Sequence, residues 1–285
     1  MNIISKKYHT RPSALIYQAR AFIPSKGLDN QKSPQIFEFH QTNAGIDKKQ
    51  AQALFELCQM EESENIPIIF PQVFGFPLIM SLLTHPEFPE PIWRSLQIRN
   101  SITSHRIIKV GENLEFKLKS SEFRYLEKGA ELDLVLKVEA EGELLWESST
   151  TFFYKGKFKT KGAVVASSGP KIEGTKVADW KVPSGGGARY GSISGDYNGI
   201  HLSDFYAKIF GFKKAFLHPH RVIGQIISVI TKLGQCPPNN LKLWFKGPVP
   251  YNSNVRLMKS DGPSDYSLHL EGDSRACVLF SMSEQ

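Results

Sequence analysis

Apolar and polar residues in this chain of 285 residues fall twice into the same order. In the first round, residues 47–60 read as a helix, and residues 72–84 read as a second, more apolar one bounded by Pro71 and Pro86. Pro77 lies inside it and is expected to kink it. Strand patterns follow. Glu115-Phe116-Lys117-Leu118-Lys119 alternates, Leu132, Leu134, Leu136 and Val138 share one face, and residues 143–154 complete an antiparallel set.

The second round opens with a helical segment over residues 202–210. A helix from about residue 221 to 233 follows, carrying Val222, Ile223, Ile226, Ile227, Val229, Ile230 and Leu233. A helix apolar on nearly every side must be buried on several. Residues 240–246, 254–260, 264–271 and 274–282 then read as strands. A buried helix followed by three or four antiparallel strands describes an α+β unit, a sheet wrapped around a helix. Two such units would pair their sheets into one. The expected division is an N-terminal arm over residues 1–34, spaced by Pro12, Pro24 and Pro34, a first unit over 35–155, a linker over 156–170 and a second unit over 171–285.

Composition narrows the class. With 41% apolar, 22% charged and 11% aromatic residues the chain is neither disordered nor fibrous. Cys58, Cys236 and Cys277 are far apart, so neither a disulfide framework nor a zinc knuckle is expected, and a reducing, cytoplasmic setting is. Residues 1–20 hold no uninterrupted apolar core, so no signal peptide is expected. Residues 67–83 are interrupted by three prolines and fall short of a membrane span. The net charge of +7 is uneven: residues 1–155 carry 18 Lys and Arg against 19 Asp and Glu, residues 156–285 carry 17 against 9. Lys155, Lys157, Lys159, Lys161 and Lys171 cluster around the linker. A solvated tether explains them as well as an anionic partner does. No recognition helix, finger or RNP pattern accompanies the charge, so nucleic acid is not expected.

The chemistry concentrates in Tyr190-Gly-Ser-Ile-Ser-Gly-Asp196-Tyr-Asn198-Gly-Ile-His201. A carboxylate and an imidazole five residues apart across a loop can hold a water or hydroxyl between an acceptor and a group titrating near neutrality. The same spacing also suits an Asx turn with a helix cap and no chemistry.

The segment resembles the Y-A-x-x-S-G-D-x-N-P-I-H signature of the MaoC-like dehydratases and (R)-specific enoyl-CoA hydratases. Ala207-Lys-Ile-Phe-Gly211-Phe212, Leu217-His218 and Trp180-Lys-Val-Pro183 extend the likeness, as do Phe70-Pro71, Phe76-Pro77 and Glu143-Leu-Leu-Trp146-Glu-Ser in the first half. The resemblance implies a double hotdog with a degenerate N-terminal half and the site in the C-terminal half. It implies reversible dehydration of (3R)-3-hydroxyacyl thioesters, of CoA or acyl carrier protein, to trans-2-enoyl thioesters, with no cofactor. Asp196 and His201 match the catalytic pair, and Ser194, Gly195 and Asn198 match the residues that shape their loop. A homodimer is compatible with that family.

Two positions depart from the signature. Gly199 stands where the family has Pro, which loosens the loop. Where the family's His-Gly supplies an oxyanion donor at the start of the central helix, this chain has His218-Pro219, and proline has no N–H. His218 and His220 are the substitute donors to consider, together with the backbone N–H of His220. The alternative is a non-catalytic acyl-thioester-binding hotdog with an impaired oxyanion hole at Pro219. A metal on His218 and His220 lacks a third ligand at fixed spacing and is not expected. A hotdog thioesterase and a serine hydrolase at Ser194 have little support.

Overall fold

The computed structural model describes residues 2–29, 35–158, 169–262 and 264–283. Lys159, Lys161 and Ser167-Ser168 of the lysine-rich linker lie outside them. The arm carries β1 (Asn2–Tyr8) and α1 (Ala14–Arg20). The first half runs β2 (Gln35–Gly45), α2 (Lys48–Cys58), α3 (Phe70–Leu83), β3 (Ser95–Ser104), β4 (Asn113–Ser120), β5 (Arg124–Leu126), β6 (Gly129–Ala140) and β7 (Glu143–Lys155). The second runs β8 (Gly174–Lys181), α4 (Gly187–Ser194), α5 (Asp204–Ile209), α6 (Pro219–Lys232), β9 (Asn240–Phe245), β10 (Asn254–Ser260), β11 (Asp265–Leu270) and β12 (Ala276–Ser283).

Eleven strands follow one path, β1-β2-β4-β6-β7-β3-β9-β12-β11-β10-β8, with β5 paired to β6 at the side. Each half therefore has the strand order first-third-fourth-fifth-second, counting its own five main strands. The halves meet where β3 and β9 pair antiparallel, Arg99 opposite Trp244 through Thr103 opposite Asn240. Like pairs with like, so the seam is a pseudo-twofold axis and the two sheets become one.

Local chemistry sets the helices. Asp47 caps α2, its Oδ1 accepting from the N–H groups of Lys49 at 2.9 Å and Gln50 at 3.1 Å. Gln59, at φ 57°, ends that helix. Helix α6 begins with Pro219 at its first position, where the missing N–H costs nothing. In α3 and α6 nearly every side is buried. Burying side chains such as Ile223 and Ile226 contributes roughly 1.5–3 kcal/mol each.

The short helices pack crosswise. Helix α2 of the first half contacts α6 of the second, while α4 of the second contacts α3 of the first. In the arm, β1 pairs parallel and in register with β2, Asn2 opposite Gln35 to Tyr8 opposite Gln41. One arrangement differs from the sequence expectation. The helix expected over 202–210 is shorter than that: α5 spans Asp204–Ile209, and a separate 3-10 turn precedes it at Gly199–His201. Ser203 is extended there, its Oγ accepting from Tyr206 N at 3.5 Å, so the cap sets the start of the helix.

Candidate active site

Helix α4 ends in a chain of nested turns that carries the polar cluster. Ser194 Oγ donates to Tyr190 O at 2.9 Å and accepts from Asp196 N at 3.0 Å. Gly195 closes the helix at φ 78°, a conformation that favours glycine. Asp196 Oδ1 accepts from Asn198 N at 3.1 Å, and Asn198 Oδ1 accepts from Ile200 N at 3.3 Å, capping the 3-10 turn that delivers His201. These bonds are those of the Asx-turn reading, and the same loop sets ligand atoms of Asp196 and His201 within 4.8 Å of each other.

Gly199 is under the ring of Tyr206, and a Cβ there would lie 2.6 Å from that ring. Where the family has Pro, this chain thus packs an aromatic ring against bare backbone. The loop is restrained by side-chain packing instead of by a pyrrolidine ring.

His201 is buried, with Nδ1 2.9 Å from the carbonyl of Phe216. A carbonyl only accepts, so Nδ1 carries the hydrogen and Nε2 the lone pair. Tyr251 Oη donates to His201 O at 3.0 Å. His218 is sandwiched between two rings, 3.9 Å from His201 and 4.1 Å from Tyr190, both stacked. Its Nε2 is 3.2 Å from Asp196 O and 3.9 Å from Asp196 Oδ2. The backbone contact fixes Nε2 as the donor and leaves Nδ1 bare, buried and without a partner among the described residues.

Electrostatics follow from burial. Desolvation raises the Asp196 pKa above the ordinary carboxylate range, against the pull of His201. Desolvation lowers His201, against the pull of Asp196, and lowers His218 further, with His201 adding to the shift. His220 is pushed down to about 4 by burial. All three imidazoles are therefore neutral near pH 7.

One ligand atom each from Asp196, His201 and His218 lies within 4.8 Å of the others. The His201 and His218 rings in that group are stacked, at 27° between planes. His220 takes no part in that group. Its Nε2 lies 3.3 Å from Asn100 Oδ1 on β3 of the first half. Asn100 Nδ2 is the donor to Thr150 Oγ1 at 2.9 Å and Ser149 O at 3.2 Å, so Oδ1 accepts and His220 Nε2 donates. The His220 imidazole is committed across the seam. Its backbone N–H, in the first turn of α6, has no backbone acceptor among the described residues.

Several neighbours escaped the sequence reading. Arg221 is buried, donating to Leu57 O at 3.1 Å and Gly185 O at 2.7 Å. Tyr17 of α1 and Arg11 of the arm bond the end of α4. Nothing in sequence spacing marks them, since each acts through tertiary contact. Tyr190 opens the motif segment itself, and its aromatic ring is the signal it offers.

No family model matches the chain. A curated relative, 3-hydroxyacyl-thioester dehydratase X of Mycobacterium tuberculosis, is 26% identical over 175 residues, 61% of this chain and 62% of the relative. This chain thus spans less than two thirds of that relative's length. The crystal structure of HtdX of Mycobacterium tuberculosis superposes with a TM-score of 0.73 at 21% identity, over 87% of this chain and 100% of the other. A MaoC-like dehydratase from Phytophthora capsici gives 0.69 at 15% identity, over 90% and 100%. The chain has the double-hotdog fold of the MaoC-like dehydratases. An acyl-ACP thioesterase from Bacteroides thetaiotaomicron superposes less well, with a TM-score of 0.55 at 8% identity over 87% of this chain and 96% of the other. The architecture alone is therefore shared by two chemistries, and the residues at the end of α4 must distinguish them.

Proposed function

We propose that this chain catalyses the reversible dehydration of (3R)-3-hydroxyacyl thioesters, carried on CoA or acyl carrier protein, to trans-2-enoyl thioesters. The carrying observation is a half-buried Asp196 with a ligand atom within 4.8 Å of one on His201, whose Nδ1–H is tied to Phe216 O. In the MaoC-like fold, that tie leaves the Nε2 lone pair as a neutral base.

In dehydration, His201 Nε2 takes the α-proton, and the electron pair moves onto the thioester oxygen. The pair then returns to form the C=C bond and expels the β-hydroxyl, which takes a proton from the Asp196–His201 pair. The products are enoyl thioester and water, and the pair is restored. A carboxyl whose pKa burial has raised shares a proton more readily with a leaving hydroxyl. The developing enolate needs a donor, and Pro219 cannot supply one. The free N–H of His220 supports that role, since the His220 imidazole is held by Asn100.

Crotonyl-CoA and longer enoyl-CoAs given to the purified protein should lose the absorbance of the conjugated thioester. Asp196→Asn should lower kcat by about 10²- to 10⁴-fold, the usual contribution of a positioned acid or base. Equal rates for wild type and variant across chain lengths would sink the assignment. Tight acyl-CoA binding without turnover would select the non-catalytic reading that Pro219 motivates.

A further inference from the structure

The N-terminal arm reaches the turn that carries Asp196. Tyr17 of α1 is buried, and its Oη donates to Gly195 O at 2.7 Å. The Arg11 guanidinium donates to Ile193 O. These two carbonyls belong to the end of α4, where a helix has no internal donors left. A cation at that end also meets the negative pole of the helix. A Cβ on Gly195 would collide with Tyr17 Oη and lie 3.4 Å from the ring of Pro77 in α3. The glycine before Asp196 is therefore enclosed between an arm side chain and the central helix of the first half. Burial raises the Tyr17 pKa, so its hydroxyl keeps the proton it donates.

We propose that Arg11 and Tyr17 are positioning residues that clamp the Gly195 turn and hold the Asp196 carboxyl in its enclosed setting beside His201. Neither touches the carboxyl's reacting atoms. They act through the backbone at 193 and 195, and the arm is thereby part of the site of the second half. This inference rests on the proposed dehydration for its kinetic consequence and on the geometry alone for its structural one. A displacement of about 1 Å at a reacting group costs on the order of a hundredfold in rate. Loosening the turn also lets water reach Asp196, and its raised pKa then falls toward the ordinary carboxylate range.

Tyr17→Phe removes one oxygen and keeps the ring, and Arg11→Ala removes the second donor. With both variants, amide hydrogen exchange read by mass spectrometry should rise in peptides covering 191–199 while those covering α6 and β12 keep the wild-type rate. On enoyl-CoA, kcat should fall by about 10- to 100-fold with KM little changed, and the acid limb of the kcat/KM profile should move to lower pH. Arg11→Lys, which keeps a cation, should recover part of the loss. Unchanged exchange at 191–199, or exchange raised equally everywhere, overturns the clamp. If the wild type itself turns over no enoyl thioester, the proposed function fails, and the exchange result still decides the clamp.

Discussion

At the scale of single residues, hydrogen-bond partners decide what each histidine can do. His201 gives its Nδ1–H to Phe216 O and keeps a base at Nε2, whereas His220 gives Nε2–H to Asn100. His220 also links folding to pH. Its pKa falls from 6.5 in the unfolded chain to about 4 in the fold. Between those values the unfolded state binds more protons, so the contribution of His220 is complete above 6.5 and is lost as pH falls toward 4. The whole span amounts to about 3 kcal/mol. His201 and His218 add in the same direction. Asp196 works oppositely, since its raised pKa makes the folded state hold the proton more tightly at low pH. Thermal melts from pH 7.5 to 4.5 should show wild type losing stability more steeply than His220→Gln. Parallel curves would show that His220 does not set the slope. Of this site, Asp196, Asn198 and His201 were legible because one loop holds them within six residues. Asn100 was not, because it reaches the site from a strand 120 residues away.

Secondary elements were legible where the pattern was periodic and obscure where packing overrode it. Strand β10 (Asn254–Ser260) has the bounds that its alternation predicts, and the bounds of α3 and α6 differ from the reading by no more than two residues. Helix α4, with Gly187, Gly191 and two serines, has weak helix propensity and forms against α2 and α3. Strand β1 depended on a parallel partner that its own alternation could not name. Glycines inside the central helices show the same primacy of packing. By propensity alone, Ala in place of a mid-helix Gly gains about 1 kcal/mol. At Gly224 an added Cβ would collide with Cys58 Sγ and lie 2.8 Å from Cys58 Cβ, a neighbour fixed close to the backbone of α2. Overpacking of that kind costs about 1–3 kcal/mol. Gly224→Ala should therefore lower the stability measured by urea unfolding, despite its better helix propensity. Adding Cys58→Ala should recover part of that loss beyond what the two single changes predict, because the Sγ contact is removed while the Cβ contact remains. Strict additivity would place the strain elsewhere.

For the whole molecule, the seam between β3 and β9 is only the visible join. Helix α6, which begins at the site, is tied to the first half: Arg221 donates to Leu57 O, Ser228 and Lys232 to Gln59 O, and His220 to Asn100 Oδ1. No carboxylate pairs with Arg221 among the described residues, so backbone carbonyls satisfy this buried cation. Leaving such a group unpaired costs several kcal/mol, comparable to much of a domain's stability. In the other direction, α4 covers α3, and the arm covers the turn before Asp196. The two halves read from sequence as similar units thus lack complete cores and complete hydrogen bonding when apart. Calorimetry of the full chain should give one transition, with calorimetric and van't Hoff enthalpies equal. Residues 171–285 alone, despite containing Asp196 and His201, should lack near-ultraviolet circular dichroism and show no hydration of enoyl-CoA. Two separate transitions, or a folded fragment 171–285, would mean that the crosswise contacts are dispensable. One transition with an unfolded fragment would show that the two halves fold as a single unit, with the first half a scaffold that the Asp196–His201 segment cannot do without.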